Sequence, residues 1–122
     1  MSCNCNCMDE NAIIRFVKGT SVNLTFEFDE DISSYTGAEF VIKKDYNTPA
    51  VITKTITDFE PHSFEVELTP QETEFSTEFL NGKNSAEYIW GLDILDSEND
   101  LRINVFPQTG SPAPKCIVYK HV

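Results

Sequence analysis

From Asn84 to Phe106 the chain reads NSAEYIWGLDILDSENDLRINVF, and no other stretch restricts the fold as tightly. Tyr88, Trp90, Leu92 and Ile94 recur at every second residue, the spacing that puts side chains on one face of a strand, while Glu87, Gly91 and Asp93 fall on the other. The polar run Asp96 to Asp100 turns the chain, and Leu101, Ile103 and Val105 return with the same alternation. The stretch is therefore expected to be a hairpin. A two-stranded ribbon is marginal by itself, so further strands must cover its apolar face.

The rest of the chain supplies them. Ala12 to Val17 is a short apolar run that ends at the turn signal Lys18-Gly19-Thr20. Ser21 to Phe28 alternates without a break, with Val22, Leu24, Phe26 and Phe28 on one face. A polar connection through Asp29-Glu30-Asp31 to Gly37 leads into Ala38–Lys44, with Phe40 and Ile42 inward. Ala50 to Thr57 is rich in β-branched residues and reads as a strand, placed at an edge. Phe64, Val66 and Leu68 alternate with Glu65 and Glu67. Thr69-Pro70-Gln71-Glu72 has the pattern of a capping box, and the spacing of Phe75, Phe79 and Leu80 before Asn81-Gly82 predicts a short helix over about residues 70–80. After the hairpin, the Pro- and Gly-rich loop Pro107–Pro114 leads into a last strand, Cys116–Val122, with Cys116, Val118 and Lys120 opposite Ile117, Tyr119 and His121. Seven or eight short strands and one helix predict an all-β fold, an Ig-like antiparallel β-sandwich.

At 122 residues the chain fits a single domain. Residues 1–11 are polar and carry Cys3, Cys5 and Cys7, which reads as a flexible Cys-rich tail, and residues 12–122 read as the sandwich. A net charge of −11 opposes a phosphate-backbone partner, because such binding needs clustered Lys and Arg, so no nucleic-acid partner is expected. No apolar run nears the roughly 20 residues of a membrane-spanning helix and no signal peptide precedes the first strand, so no membrane partner is expected and the host cytoplasm is the expected place of synthesis. Structural disulfides are not expected in that compartment.

Motifs for chemistry are sparse. Cys3, Cys5 and Cys7, with Cys116 as a fourth ligand, could offer thiolates to a soft metal, but C-x-C-x-C lacks the C-x(2–4)-C spacing that wraps zinc. The Cys116 thiol reads as a small core group. Neither His62 nor His121 belongs to a nucleophile motif, and no phosphate-binding loop occurs. The acidic clusters around Asp29–Asp31 and Asp93–Asp100 do not match a twelve-residue calcium loop and read as solvated loops. Asn23-Leu24-Thr25 matches a glycosylation sequon but sits inside an expected strand. The expectation is a non-enzymatic chain without a cofactor.

Several short motifs together resemble a known family. Lys18-Gly19-Thr20 before the first long strand, Ser34-Tyr35-Thr36-Gly37-Ala38 before the next, Leu68-Thr69 with Thr73, and Tyr88, Trp90 and Leu92 on one strand are similar to small β-sandwich domains of tailed bacteriophages. The similarity is to the N-terminal domain of upper baseplate proteins. In that family the strand motif carries Asp where Gly91 stands here. The resemblance covers about Ala12 to Val122 and implies a structural or adaptor role in a virion (baseplate, tail or head decoration), with other virion proteins and further copies of the chain as partners. On that reading the contacts fall to the loops and the tail, with Asp29, Glu30, Asp31, Tyr35, Tyr46, Asp96, Glu98 and Asp100 as interaction residues. The tail would order by strand addition to a neighbouring sheet edge. The alternative class is a small module that binds carbohydrate or a cell-surface ligand, with Tyr35, Tyr46 and Phe59 as the aromatic candidates.

Overall fold

The computed structural model describes residues 3–5, 8, 11–79 and 82–122. Nine strands are found among them: β1 (Cys3–Cys5), β2 (Ile14–Val17), β3 (Val22–Phe28), β4 (Gly37–Lys43), β5 (Ala50–Ile56), β6 (Ser63–Leu68), β7 (Ser85–Asp96), β8 (Leu101–Phe106) and β9 (Lys115–Tyr119). They form two layers. One sheet has the order β1-β3-β6, and the other has the order β2-β9-β7-β4-β5 with β8 also on β7. All pairings are antiparallel except β2 with β9. The first chain segment is thus shared between the layers, β1 on one and β2 on the other. That arrangement, with two facing sheets and strands crossing between them, is the expected Ig-like sandwich.

The alternating residues do what their period requires. Leu24, Phe26 and Phe28 face Phe40, Ile42, Trp90, Leu92 and Ile94 across the layers, all of them buried. Trp90 sits at the centre, with ring centroids 5.9 Å from Phe26, 5.9 Å from Phe40 and 4.8 Å from Phe106. Its indole N–H donates to the Ala12 carbonyl at 2.9 Å, so the one polar atom of the ring is satisfied and the turn before β2 is tied to the core.

The hairpin forms as expected, with two refinements. Opposite Leu92-Asp93 the ladder shifts, Leu92 pairing with Phe106 and Asp93 with Asn104, so Val105 is an extra residue and both Val105 and Phe106 turn into the core. Leu101, expected inward, is 53% exposed because it pairs with Asp96 at the open end of the sandwich. The strands β8 and β9 then lie in line along one edge of β7, and residues 107–113 leave that edge between them, the Pro114 carbonyl already accepting from Trp90 N–H at 3.0 Å. The prolines there have no N–H to give to a ladder. At the point of departure β7 carries Gly91, where a Cβ would stand 3.2 Å from the Phe106 carbonyl oxygen.

Two expectations are corrected. Residues 3–5 are not a loose tail: Cys3 pairs with Phe28 and Cys5 with Phe26, and Cys5 is buried. Cys3, a free thiol, is half-buried on this strand as a small apolar side chain. The helix over 70–80 does not form beyond a single 3-10 turn at Glu72–Glu74. The capping box itself is present, with Thr69 N–H donating to Glu72 Oε1 at 2.9 Å and Glu72 N–H to Thr69 Oγ1 at 3.2 Å. Beyond it the β-branched Thr73 is buried and donates its hydroxyl to Thr20 O at 2.8 Å, and Phe75 leaves the turn to meet Tyr88 edge-on at 5.2 Å. Phe75, Thr77 and Phe79 are then half-buried in alternation, which shows that i, i+4 spacing served an extended segment. Leu80 and Asn81, assigned to the helix and its stop, lie outside the described residues.

Candidate interaction surface

The expected interaction residues divide between two ends of the sandwich. Thr36 joins the β3–β4 loop to the β7–β8 turn, its N–H donating to Leu95 O at 2.9 Å and its hydroxyl oxygen accepting from Ser97 N–H at 2.9 Å. Asp29, Glu30, Asp31, Glu98 and Asp100 are therefore brought to one end, all exposed. Asp31 has a local task, closing a turn by accepting from the Ser33 hydroxyl and N–H, and these bonds hold its carboxyl below its usual range. Tyr35 is half-buried and packs on the core. Asp96 is corrected: it is only 6% exposed and accepts from Asn99 Nδ2 at 2.8 Å, so it closes the hairpin turn from inside. Tyr46 stands at the other end, 62% exposed, with its hydroxyl accepting from Ala113 N–H at 2.6 Å. Phe59 stacks on Phe64 at 5.2 Å as part of the core edge.

Cys3 and Cys116 are free thiols. Burial, with the Asp29 charge adding to it, pushes the Cys3 thiol up to about 12, and burial does the same for Cys116. Cys5 is in a disulfide, contrary to the expectation of reduced cysteines, and so offers no thiolate. Cys7 lies outside the described residues, among which no three His, Cys, Asp or Glu side chains gather as a metal site. No helix among the described residues is long and apolar enough to cross a membrane.

A surface that the alternation argument passed over is the outer face of the β2-β9-β7-β4-β5 sheet. A strand with one face in water normally alternates apolar inward and polar outward. Here the outward positions include Val17 on β2, Tyr119 and Ile117 on β9, Ile89 and Leu95 on β7, and Val41 on β4. The register links five of them. Val17 pairs with Tyr119, Ile117 stands two residues along from Tyr119, Ile89 is diagonal to Ile117, and Val41 is diagonal to Ile89. Cross-strand and diagonal neighbours lie within roughly 5–8 Å, so this is one continuous stripe across four strands.

Charges of both signs border the stripe. Arg15 and Glu87 stand opposite Ile117 on its two sides, and Lys43 and Lys115 stand opposite Ile89. Lys115 pairs with Glu87 at 3.4 Å. Beyond Gly91, Arg102 bridges Glu39 at 3.2 Å and Asp93 at 2.7 Å, and these carboxylates raise its pKa further above the ordinary guanidinium value. The face therefore carries Arg15, Lys43, Arg102 and Lys115 against Glu39, Glu87 and Asp93, in a chain whose net charge is −11. Near-neutrality coincides on one face with apolar side chains left in part open to solvent, Val17 exposed and Val41, Ile89, Ile117 and Tyr119 half-buried. Compared with protein-family models and with curated proteins, the sequence matches none.

Proposed function

We propose that this chain is a non-enzymatic structural or adaptor protein of a tailed-phage particle, a component of its baseplate, tail or head surface, working by protein docking and self-assembly. The observation that carries the docking part is the stripe Val17–Tyr119–Ile117–Ile89–Val41 on an otherwise solvated sheet. A half-apolar face with paired charges at its border has the anatomy of an interface core with a polar rim. The phage setting draws its support from the resemblance of the Lys18-Gly19-Thr20, Thr36-Gly37-Ala38 and Tyr88–Leu92 motifs, whose residues shape turns and the core. The test is mass spectrometry and antibody labelling of particles purified from cultures in which the encoding genome is induced. The chain is expected in purified particles, with label at discrete positions. A chain confined to the particle-free fraction contradicts the virion role.

A second reading, a small carbohydrate-binding module, has one observation in its favour, the 62% exposed ring of Tyr46. That ring is held in place by the Ala113 N–H at its hydroxyl, as a stacking platform for a sugar would need to be. A glycan array without hits removes it.

A further inference from the structure

We infer that the outer face of the β2-β9-β7-β4-β5 sheet is covered by the same face of a second copy of this chain, forming a two-fold dimer. The inference rests on the docking reading above and names the partner. Charge selects a copy of the chain. Most of the molecule is acidic: Glu27, Glu65 and Glu67 stand outward on the other sheet, and Asp29, Glu30, Asp31, Glu98 and Asp100 crowd one end. Two copies meeting through any of those surfaces would bring like charges together, at a cost that grows as water is excluded. The stripe face, unlike those surfaces, offers both signs. Lys43 and Lys115 on one copy and Glu39, Glu87 and Asp93 on the other can oppose each other in a self-complementary contact, as a two-fold interface demands.

Size is consistent with this. Five strands at ~4.8 Å spacing and about six residues at ~3.4 Å make a face on the order of 500 Å² in plan, and the side chains standing on it raise the accessible area. That approaches the roughly 800 Å² per partner of a standard interface, at the weak end of the scale. The contact therefore dissociates on dilution. The stripe itself would be the water-excluding centre, with Ile89 in the middle of the central strand.

The experiment is sedimentation velocity over a concentration series on the wild-type chain, Ile89→Glu, Val17→Glu and, as the control on the other sheet, Thr25→Glu. Trp90 fluorescence and thermal melting report whether each variant is folded. A wild-type dimer that dissociates on dilution, weakened roughly tenfold or more by Ile89→Glu and by Val17→Glu but not by Thr25→Glu, is expected. Val17 is 37% exposed on an edge strand, so its variant keeps the test valid if Ile89→Glu fails to fold. A wild-type chain that stays monomeric throughout, or a dimer that the folded variants leave intact, overturns the inference. Particle labelling separates the two readings. A monomer that still labels particles loses the dimer and keeps the docking role, whereas a dimer absent from particles keeps the interface and loses the virion.

Discussion

On the outer face of the β1-β3-β6 sheet stand Asn4, Asn23, Thr25, Glu27, Ser63, Glu65 and Glu67; on the outer face of its partner sheet stand Val17, Val41, Ile89, Ile117 and Tyr119 among paired charges. Both faces obey the same two-residue period, and both turn their backs on one core. The first is what water alone asks of a sheet: polar, unpaired and of one sign. The second keeps apolar side chains where the core has no use for them, and ties its charges into Arg102–Glu39, Arg102–Asp93 and Lys115–Glu87 pairs. The difference teaches that in a sandwich the informative residues are the apolar ones of the wrong parity.

The largest expected effect lies beneath both faces. Trp90→Ala removes the ring that joins the two layers and should cost about 3–5 kcal/mol in urea unfolding. An unchanged midpoint would mean that the faces are assigned the wrong way round. Next comes a change that should be felt on one face only. Gly91→Val places a side chain against the Phe106 carbonyl, 3.2 Å from its Cβ, and against Val41, and should cost roughly 1–3 kcal/mol, whereas Thr25→Val on the opposite face should stay within about 0.5 kcal/mol. Equal costs would erase the distinction.

The inward faces were legible in the sequence because each rests on several consecutive alternations, as in Val22–Phe28 or Tyr88–Ile94. The capping box at Thr69 was legible for the same reason, since its partners are local. Phe75 and Phe79 misled because four-residue spacing fits a helical turn and an extended segment alike, and only the half-buried Thr77 between them decides. Asp96 misled because a turn acid looks the same whether it faces solvent or its own Asn99. The stripe was not legible. Each of its residues is a single apolar outlier in its own strand, and only the register makes them neighbours, above all the parallel β2–β9 pairing between the two ends of the domain.

Smaller effects come from the charges. Glu39 and Asp93 are direct cross-strand partners, so Arg102→Ala leaves two carboxylates facing each other. Because Arg102 is about half exposed, the cost should be about 0.5 kcal/mol in denaturant titration and should shrink with added salt. On the acidic face the sign reverses. Glu65→Lys relieves its crowding with Glu67 and the diagonal Glu27 and should stabilise by roughly 0.3 kcal/mol at low ionic strength, a gain that ~1 M salt removes. A destabilised Glu65→Lys would show that the acids of that face have partners of their own.

The contrast between the faces is tested most directly by methyl-region NMR spectra of the chain over a dilution series. The account predicts concentration-dependent shifts at the methyls of Val17, Val41, Ile89 and Ile117, with the methyl of Thr25 and those of the core unmoved. Shifts confined to the acidic end loops, or no shifts at any concentration, would contradict it.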